Sequence, residues 1–462
     1  MQLDMMNMTL KKKIKMVIML SIPAILAQIS SIVMQYIDAA MVGSLGASAS
    51  ASIGLMASST WLVGGLCMCL ATGFSVQVAH LIGAGKEKDA RDVLRQSIIC
   101  ASIFGIVLSL VGICLSPYLP IWLKGEKNIV KGASSYFFVY SCAIIGTQFR
   151  QLAGSMLQCS GDMKTPSVLN IVMCFLDVIF NYIFIFPTRS VKVFGKSIMV
   201  LGAGLGVSGA AFGTALAEIV VAILMIWCVC VKSDKLALSI SKGSWRLKKN
   251  CIKKAVWIAV PMGIERFIMN GAQIMSTRLI APLGTVAIAA NSLAVTAESL
   301  CYMPGFGVAA AATTLVGQSL GAGKKELTRS FARITVSLGV IIMSITGLLM
   351  YIFAPQMFAM LTPDREVRQL GVDILRIVAF AEPFFAMSIV GAGALRGASD
   401  TVIPSILNLI SMWGVRIVLT IILIPYLGLC GAWIAMAIEL GVRGILFLIR
   451  ILREKWLLNF EL

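Results

Sequence analysis

The chain has one histidine, His80, in 462 residues, and only 13% of its side chains are charged. A single imidazole excludes any paired-histidine metal site and any intramembrane protease built on paired metal ligands. Its position at the end of an apolar run suits a helix cap better than a relay. Twelve cysteines are scattered through apolar stretches, singly or as Cys67/Cys69 and Cys228/Cys230. That placement lacks the loop spacing of a disulfide framework and reads as free thiols packed as small hydrophobes. Nothing alternates with period two over barrel-strand lengths, which excludes a membrane β-barrel. Gly83-Ala84-Gly85-Lys86 lacks the further residues of a phosphate loop, which excludes an ATP-driven pump of that type. No cofactor is expected, and no enzymatic activity.

What is abundant is apolar sequence: 58% of residues, with a mean hydropathy of +0.92. Soluble domains hold about a quarter charged and roughly 45–50% apolar residues. A helix crossing the hydrocarbon needs about 20 apolar residues. Twelve such runs occur, near 15–42, 50–81, 96–118, 133–157, 166–187 and 203–231, then 255–281, 287–317, 332–354, 368–395, 402–425 and 429–451. The first run is too long for a signal peptide and is read as a retained span. The expected fold is an all-α membrane protein.

The net charge of +18 would suggest nucleic acid in a soluble chain, but here the basic residues sit between apolar runs. Lys11–Lys15, Lys86–Arg95, Lys164, Lys232–Lys254, Lys324–Arg333, Arg396 and Arg450–Lys455 fall on one side. Lys124, Lys127, Lys131, Arg189, Lys192, Lys196, Arg365 and Arg368 fall on the other, sparser side. The positive-inside rule predicts both termini in the cytoplasm of a multi-pass plasma-membrane protein. Membrane lipids are therefore the expected surroundings and nucleic acid is not a partner.

The chain is also written twice. Shifted by 238 positions, Pro23 meets Pro261, Leu45-Gly46 meets Leu283-Gly284, and Gly83-Ala84-Gly85-Lys86 meets Gly321-Ala322-Gly323-Lys324. Asp162 meets Asp400, Asn170 meets Asn408 and Pro187 meets Pro425. An insertion around Thr188–Leu205 then resets the register, after which Gly209-Ala210 meets Gly431-Ala432. Six spans per copy is an even number, so the copies are parallel repeats about an axis along the membrane normal, a pseudo-two-fold. The expected division is an N-lobe over 1–231, a basic linker over 232–254 resting on anionic headgroups, and a C-lobe over 255–462. Two lobes about a central cleft are the layout of an alternating-access transporter. A channel is disfavoured, because no ring of repeated charge is visible.

Several stretches resemble the multidrug and toxic compound extrusion (MATE) family. They are Leu45-Gly46, the two Gly-Ala-Gly-Lys turns, Leu395-Arg396-Gly397-Ala398-Ser399-Asp400 before Pro404, and Glu298 through Gly307 running on to Val316-Gly317-Gln318. The resemblance implies a secondary-active antiporter exporting organic cations or other toxic compounds in exchange for H⁺ or Na⁺, working as a monomer.

A carboxylate at mid-bilayer costs about 2.5–3.5 kcal/mol or more, so it needs a partner, water or a task. Charges without a mate in the other repeat are not explained by the shared scaffold. Asp38, opposite Ser276, is the clearest. Its surroundings, Tyr36 to Gly43, resemble the family's first-span motif, which implies a cation-coupling carboxylate. Asp177 and Asn181, opposite Val415 and Leu419, lie one turn apart on one helix face. The family usually places Asn before Asp here; this chain inverts the order. Thr214 falls where the family places a sixth-span hydroxyl. Asp38, Asp177, Asn181 and Thr214 form the expected cation-coupling set. All-oxygen ligands suit Na⁺, and two close carboxylates can equally share a proton.

The C-lobe contributes Glu265, Arg278, Glu298 and Arg416 as a second network or substrate contact, with an internal Glu298–Arg416 ion pair as one reading. Glu218 and Glu439 read as scaffold pairs in the last span of each lobe. Methionines such as Met34, Met41 and Met275 could line an adaptable pocket. A flippase for lipid-linked sugar precursors is the competing function, because Arg278, Arg376 and Arg416 could line a cleft for a polyanionic headgroup.

Overall fold

The computed structural model describes residues 8–123, 125–193, 196–239, 243 and 245–457. Of the charges counted above, Lys124, Lys242 and the side chains of Arg189, Lys192 and Lys196 lie outside what is described. The first half of the chain forms α1 (Leu10–Gly43), α2 (Ala47–Gly83), α3 (Glu87–Leu115), the one-turn α4 (Leu119–Trp122), α5 (Lys127–Ser160) and α6 (Lys164–Ile185). A hairpin of β1 (Pro187–Val193) and β2 (Lys196–Ala203) leads to α7 (Val207–Trp227). The second half forms α8 (Lys249–Ile280), α9 (Thr285–Gly321), α10 (Lys325–Leu361), α11 (Arg365–Ala379), α12 (Glu382–Gly397), α13 (Val402–Leu409) and α14 (Val418–Leu452).

Twelve spans result. Among the described residues nine helices are long and apolar enough to cross a membrane, and α11 with α12 makes a tenth, bent by 59°. The run from α13 through α14 is broken at Gly428, where φ is 56° and ψ −134°, and so counts twice. The heavily charged α8, which carries Lys253, Lys254, Glu265, Arg266 and Arg278, completes the set. The packing is inverted relative to a soluble protein. On α10, Ile341, Ile345, Leu348 and Ile352 form an exposed apolar stripe, while Thr328, Thr335 and Gly339 are buried. A lipid-facing helix keeps its polar groups inside because hydrocarbon offers them no partners.

The repeat is visible in backbone geometry. Helices α2 and α9 begin and end at repeat-related residues. The left-handed turn residues coincide as well: Gly46 with Gly284, Gly85 with Gly323, and Gly206 (φ 58°) with Gly428 (φ 56°). Where Gly161 caps α5 at φ 99°, the second half places Ser399 at φ 62°. The insertion around Thr188–Leu205 is the antiparallel hairpin, with Val191 paired to Ile198 and Val193 to Lys196. The eleventh span holds a π-helical stretch, Ile410–Ile417, which carries Arg416 and which hydropathy does not reveal.

The chain divides into two compact units. One comprises Met1–Ile29, Ala79–Lys86 and Trp257–Leu462; the other comprises Ser30–Val78 and Glu87–Val256. The start of α1 and the last turn of α2 thus pack with the second half of the chain. In that unit Met16 and Val17 are buried against Leu315, Leu327 and Phe331. His80 donates from Nε2 to the Gly397 carbonyl at 2.7 Å, the helix-end contact expected of it. Gly83 lies against the Gln318 backbone and Gly321 against the His80 backbone, so close that a Cβ on either would collide. His80 and Gln318 are themselves repeat mates, so the contact is reciprocal.

In the other unit the linker is tied to α3. Arg91 Nε donates to the Lys235 carbonyl at 2.9 Å and Arg95 to the Leu238 carbonyl at 3.4 Å. Lys248 reaches Asp92 at 3.0 Å while its backbone N–H donates to Gln96. Lys235 donates to the Ser160 carbonyl at 3.1 Å, and burial pulls its ammonium below the ordinary lysine range.

Candidate functional site

The unit formed by Ser30–Val78 and Glu87–Val256 contains the polar cluster. Asp38 lies near the Gly43 end of α1, Asp177 and Asn181 near the Ile185 end of α6, and Thr214 near the Val207 start of α7. Asn181 Nδ2 donates to Asp38 Oδ1 at 2.9 Å and to Asp177 Oδ2 at 3.1 Å. The amide thus bridges two carboxylates. Thr214 and Asp38 both approach the Asp177 carboxyl. Asp177 and Asn181 are fully buried, and Asp38 and Thr214 are half-buried. All four residues expected from the sequence are brought together.

Local sequence explains the convergence. Gly213 has no Cβ, which would strike Asn181 Oδ1 and its backbone nitrogen, so α7 approaches α6 closely enough to place Thr214 at the carboxylates. Gly209 does the same one turn earlier, against the Phe184 carbonyl. One turn beyond the cluster, Val42, Ile185 and Ala210 pack together with Ala49 as an apolar plug. They follow Asp38 and Asn181 and precede Thr214 by four residues, the spacing that stacks side chains on one helix face.

Two acceptors in this cluster, Asp177 Oδ1 and Asn181 Oδ1, are buried without a hydrogen-bond partner. Buried acceptors left unmatched cost about 1–3 kcal/mol each, so the cluster is short of positive charge. The donor set fits a small cation: two carboxylates, an amide and a hydroxyl offer only oxygen once the amide turns Oδ1 inward. No group of three His, Cys, Asp or Glu side chains suited to a metal occurs among the described residues.

The second-half candidates do not form one site. Glu265 accepts from Ser405 Oγ at 2.7 Å and from Asn408 Nδ2 at 2.6 Å, tying α8 to α13. Arg278 is exposed in the last turn of α8. Glu298 and Arg416 do interact electrostatically, but no direct ion pair joins them among the described residues. Arg416 is shared between Glu439 and Glu298, and the direct partner of Glu439 is Arg443, at 3.1 Å. Arg443 also lies over the Phe385 ring, 5.3 Å from its centre, and Ser411 donates to Glu439 at 2.6 Å. Glu382 completes this buried group, with the Cys301 thiol beside its carboxyl. Glu382 is visible in the sequence as one of the charges inside a second-half span, without an assigned role, whereas Arg443 was missed; its one available signal was a charge inside an apolar run without a charged repeat mate.

Comparison with known proteins agrees with the fold and the repeat. The MatE family model matches residues 23–183 and again 261–422. The chain is 27% identical to a probable multidrug resistance protein NorM of Thermotoga maritima over 444 residues, covering 96% of this chain and 93% of that one. It is 25% identical to the multidrug resistance protein MdtK of Yersinia pseudotuberculosis, covering 95% and 94%. A MOP superfamily transporter from Pyrococcus furiosus superposes with a TM-score of 0.88 at 20% identity, over 97% of each chain. The Vibrio cholerae MATE transporter VcmN superposes at 0.87 and 19% identity, over 97% and 99%. The chain belongs to the MATE family of membrane transporters.

Proposed function

We propose that the protein is a multidrug efflux antiporter that exports organic cations or other toxic compounds in exchange for H⁺ or Na⁺. The observation that carries this is the bridge Asp38–Asn181–Asp177 inside a membrane-spanning unit. An amide holding two carboxylates apart occupies the place of a monovalent cation. When the ion binds, Asp38 and Asp177 supply charge, Thr214 a hydroxyl oxygen and Asn181 its freed carbonyl. The names of the relatives, NorM and MdtK multidrug resistance proteins, support drugs as the cargo. The protein works as a monomer surrounded by lipid, by alternating access between two lobes, 1–231 and 255–462. Both termini and the basic linker face the cytoplasm, where roughly 1 kcal/mol per Lys or Arg holds the linker at anionic headgroups.

The flippase reading draws no support from its arginines. Arg278 ends α8, Arg376 lies over the Tyr351 ring at 5.3 Å, and Arg416 is shared between glutamates. A polyanionic headgroup needs them convergent. The deciding measurement is uptake and release of a cationic dye by proteoliposomes under separately imposed H⁺ and Na⁺ gradients. Dye movement driven by one gradient and cancelled by its dissipation is expected; movement indifferent to both sinks the antiport.

A further inference from the structure

A second polar group in the same unit lies toward the opposite end of the helices from the apolar plug. Glu218 follows Thr214 by one turn on α7, and Asn170 precedes Asp177 by two turns on α6. At 1.5 Å per residue these steps are about 6 and 10 Å, both away from the β-hairpin. Thr147 donates its hydroxyl to Glu218 Oε2. Arg150 reaches Glu218 Oε1 at 3.1 Å through Nη2 and Asn170 Oδ1 at 3.4 Å through Nη1. Gly146 makes the junction possible, since a Cβ there would stand 2.9 Å from Ile219.

This group is not needed to hold α5 against α7. At the repeat-related positions the second half carries Phe385, Ala386, Ser388 and Ile389 for Thr147, Gln148, Arg150 and Gln151, and Leu440 for Glu218. Helix packing there proceeds without these charges, and a half-buried ion pair is weak evidence of stability. The first half also leaves Gln148 Oε1, Gln151 Oε1 and Arg150 Nε buried without partners. The unmatched Arg150 Nε at a junction that could have been apolar, with two unmatched glutamine oxygens on the same stretch of α5 whose amides donate to the Cys67 and Gly64 carbonyls of α2, indicates a place meant to receive something polar.

We infer that Glu218, held by Arg150 and Thr147, is an inner station through which the coupling cation passes after leaving Asp38 and Asp177. An arriving cation competes with Arg150 for the Glu218 carboxylate, with the Thr147 hydroxyl and the Asn170 side-chain oxygen at hand as further oxygen ligands. Arg150 thus acts as a positioning residue: it occupies the station between ions and yields it to each one. The inference rests on the coupling role proposed for the Asp38–Asp177 cluster.

The test replaces the ion pair by an apolar one, Arg150→Met with Glu218→Met, and measures three things in the purified protein. These are the melting midpoint, the rise in that midpoint on adding Na⁺ or protons, and gradient-driven efflux of ethidium from proteoliposomes. The expected result is an unchanged midpoint, a retained ion-induced rise and efflux reduced tenfold or more. Efflux at the wild-type rate overturns the station and leaves Arg150–Glu218 as scaffold. If the double variant does not fold, Glu218→Gln against Glu218→Asp decides. The carboxamide keeps the shape and should lose efflux, the shorter carboxylate should recover it, and wild-type efflux by Glu218→Gln again overturns the inference. Asp177→Asn is run in parallel. If it exports normally, the coupling site itself is wrong; if it is inactive while the double methionine variant exports, only the inner station is wrong.

Discussion

The two units hold their buried charges differently. Around Asp38 and Asp177 the charges are all negative, bridged by a neutral amide, and two of the residues are half-buried. Around Glu298, Glu382 and Glu439 the acids are interleaved with Arg416 and Arg443, and all three glutamates are fully enclosed. The backbones come from one repeated design, down to coincident left-handed turns. A cluster with excess negative charge and partial access is suited to taking up and releasing a cation. A cluster that carries its own arginines is largely neutralised already. Duplication supplied the frame, and the side chains at non-equivalent positions gave the halves different buried charge.

The largest effect expected from breaking that contrast is on the acidic cluster. Asp38→Asn or Asp177→Asn should reduce gradient-driven export by about 10-fold or more, since 1.4 kcal/mol of lost ion binding is already tenfold. The melting midpoint should hold, because an amide replaces a carboxylate at similar volume. Exchanging both residues, Asp177→Asn with Asn181→Asp, keeps one carboxylate and one amide on the same face and should recover part of the efflux. Dye efflux from proteoliposomes at matched protein content measures all of these. A double exchange as inactive as Asp177→Asn would mean that the order along α6 matters, not just the pair.

The second-half cluster should respond in stability before transport. Glu439→Ala leaves Arg443 enclosed without its counterion, which costs about 3–5 kcal/mol. Replacing both, Glu439→Met with Arg443→Met, should restore most of the melting midpoint. If the single variant melts like wild type, the enclosed arginine is finding another acid, and the two clusters differ less than their contacts suggest.

Much of this organisation is legible in the sequence because membrane insertion imposes simple rules. Twelve runs, the register of 238 and the unmatched carboxylates Asp38 and Asp177 all follow from hydropathy and repetition. The grouping of Asp38, Asp177, Asn181 and Thr214 comes instead from the family resemblance, joined to the missing repeat mates of the two carboxylates. What escaped was set by tertiary contact. Arg416 sits on a π-helical stretch, so 3.6-residue spacing misplaces its side chain relative to Glu298. Arg443 lies one turn beyond Glu439, but nothing in the spacing says that it, and not Arg416, takes the carboxylate. The hairpin within Thr188–Leu205 was visible only as extra length, and the grouping of Leu10–Ile29 with the second half depends on contacts such as Val17 with Phe331.

The reciprocal glycine contact offers a medium-sized test of the shared frame. A Cβ on Gly83 would stand 2.7 Å from the Gln318 carbonyl carbon, and one on Gly321 would stand 2.6 Å from that of His80. These neighbours are backbone atoms, so neither can swing away. Gly83→Ala and Gly321→Ala should each destabilise by about 1–3 kcal/mol, the usual range for overpacking, and by similar amounts. Unequal shifts in melting midpoint would show that only one copy keeps the contact tight.

The smallest expected effect lies at a turn where the repeats differ in residue type but share a left-handed backbone. Gly161 and Ser399 both follow a helix end with positive φ, 99° and 62°. Glycine reaches this region without steric cost, whereas an L-residue with a Cβ meets the following carbonyl and loses roughly 1–2 kcal/mol. Ser399 nevertheless keeps the turn. Its N–H donates to the Arg396 carbonyl at 2.9 Å, and the Asp400 N–H donates to the Leu395 carbonyl at 2.9 Å. Asp400 is then free to take Arg450 through Nη2 at 2.7 Å and Nε at 3.0 Å. Ser399→Gly should therefore raise the melting midpoint, by up to about 1 kcal/mol in stability after the entropy that glycine adds to the unfolded chain is subtracted. Gly161→Ser should lower it by a comparable amount. If Ser399→Gly instead destabilises, the serine side chain is contributing more to the α12 end than its backbone strain removes, and this turn has diverged between the repeats in function as well as in sequence.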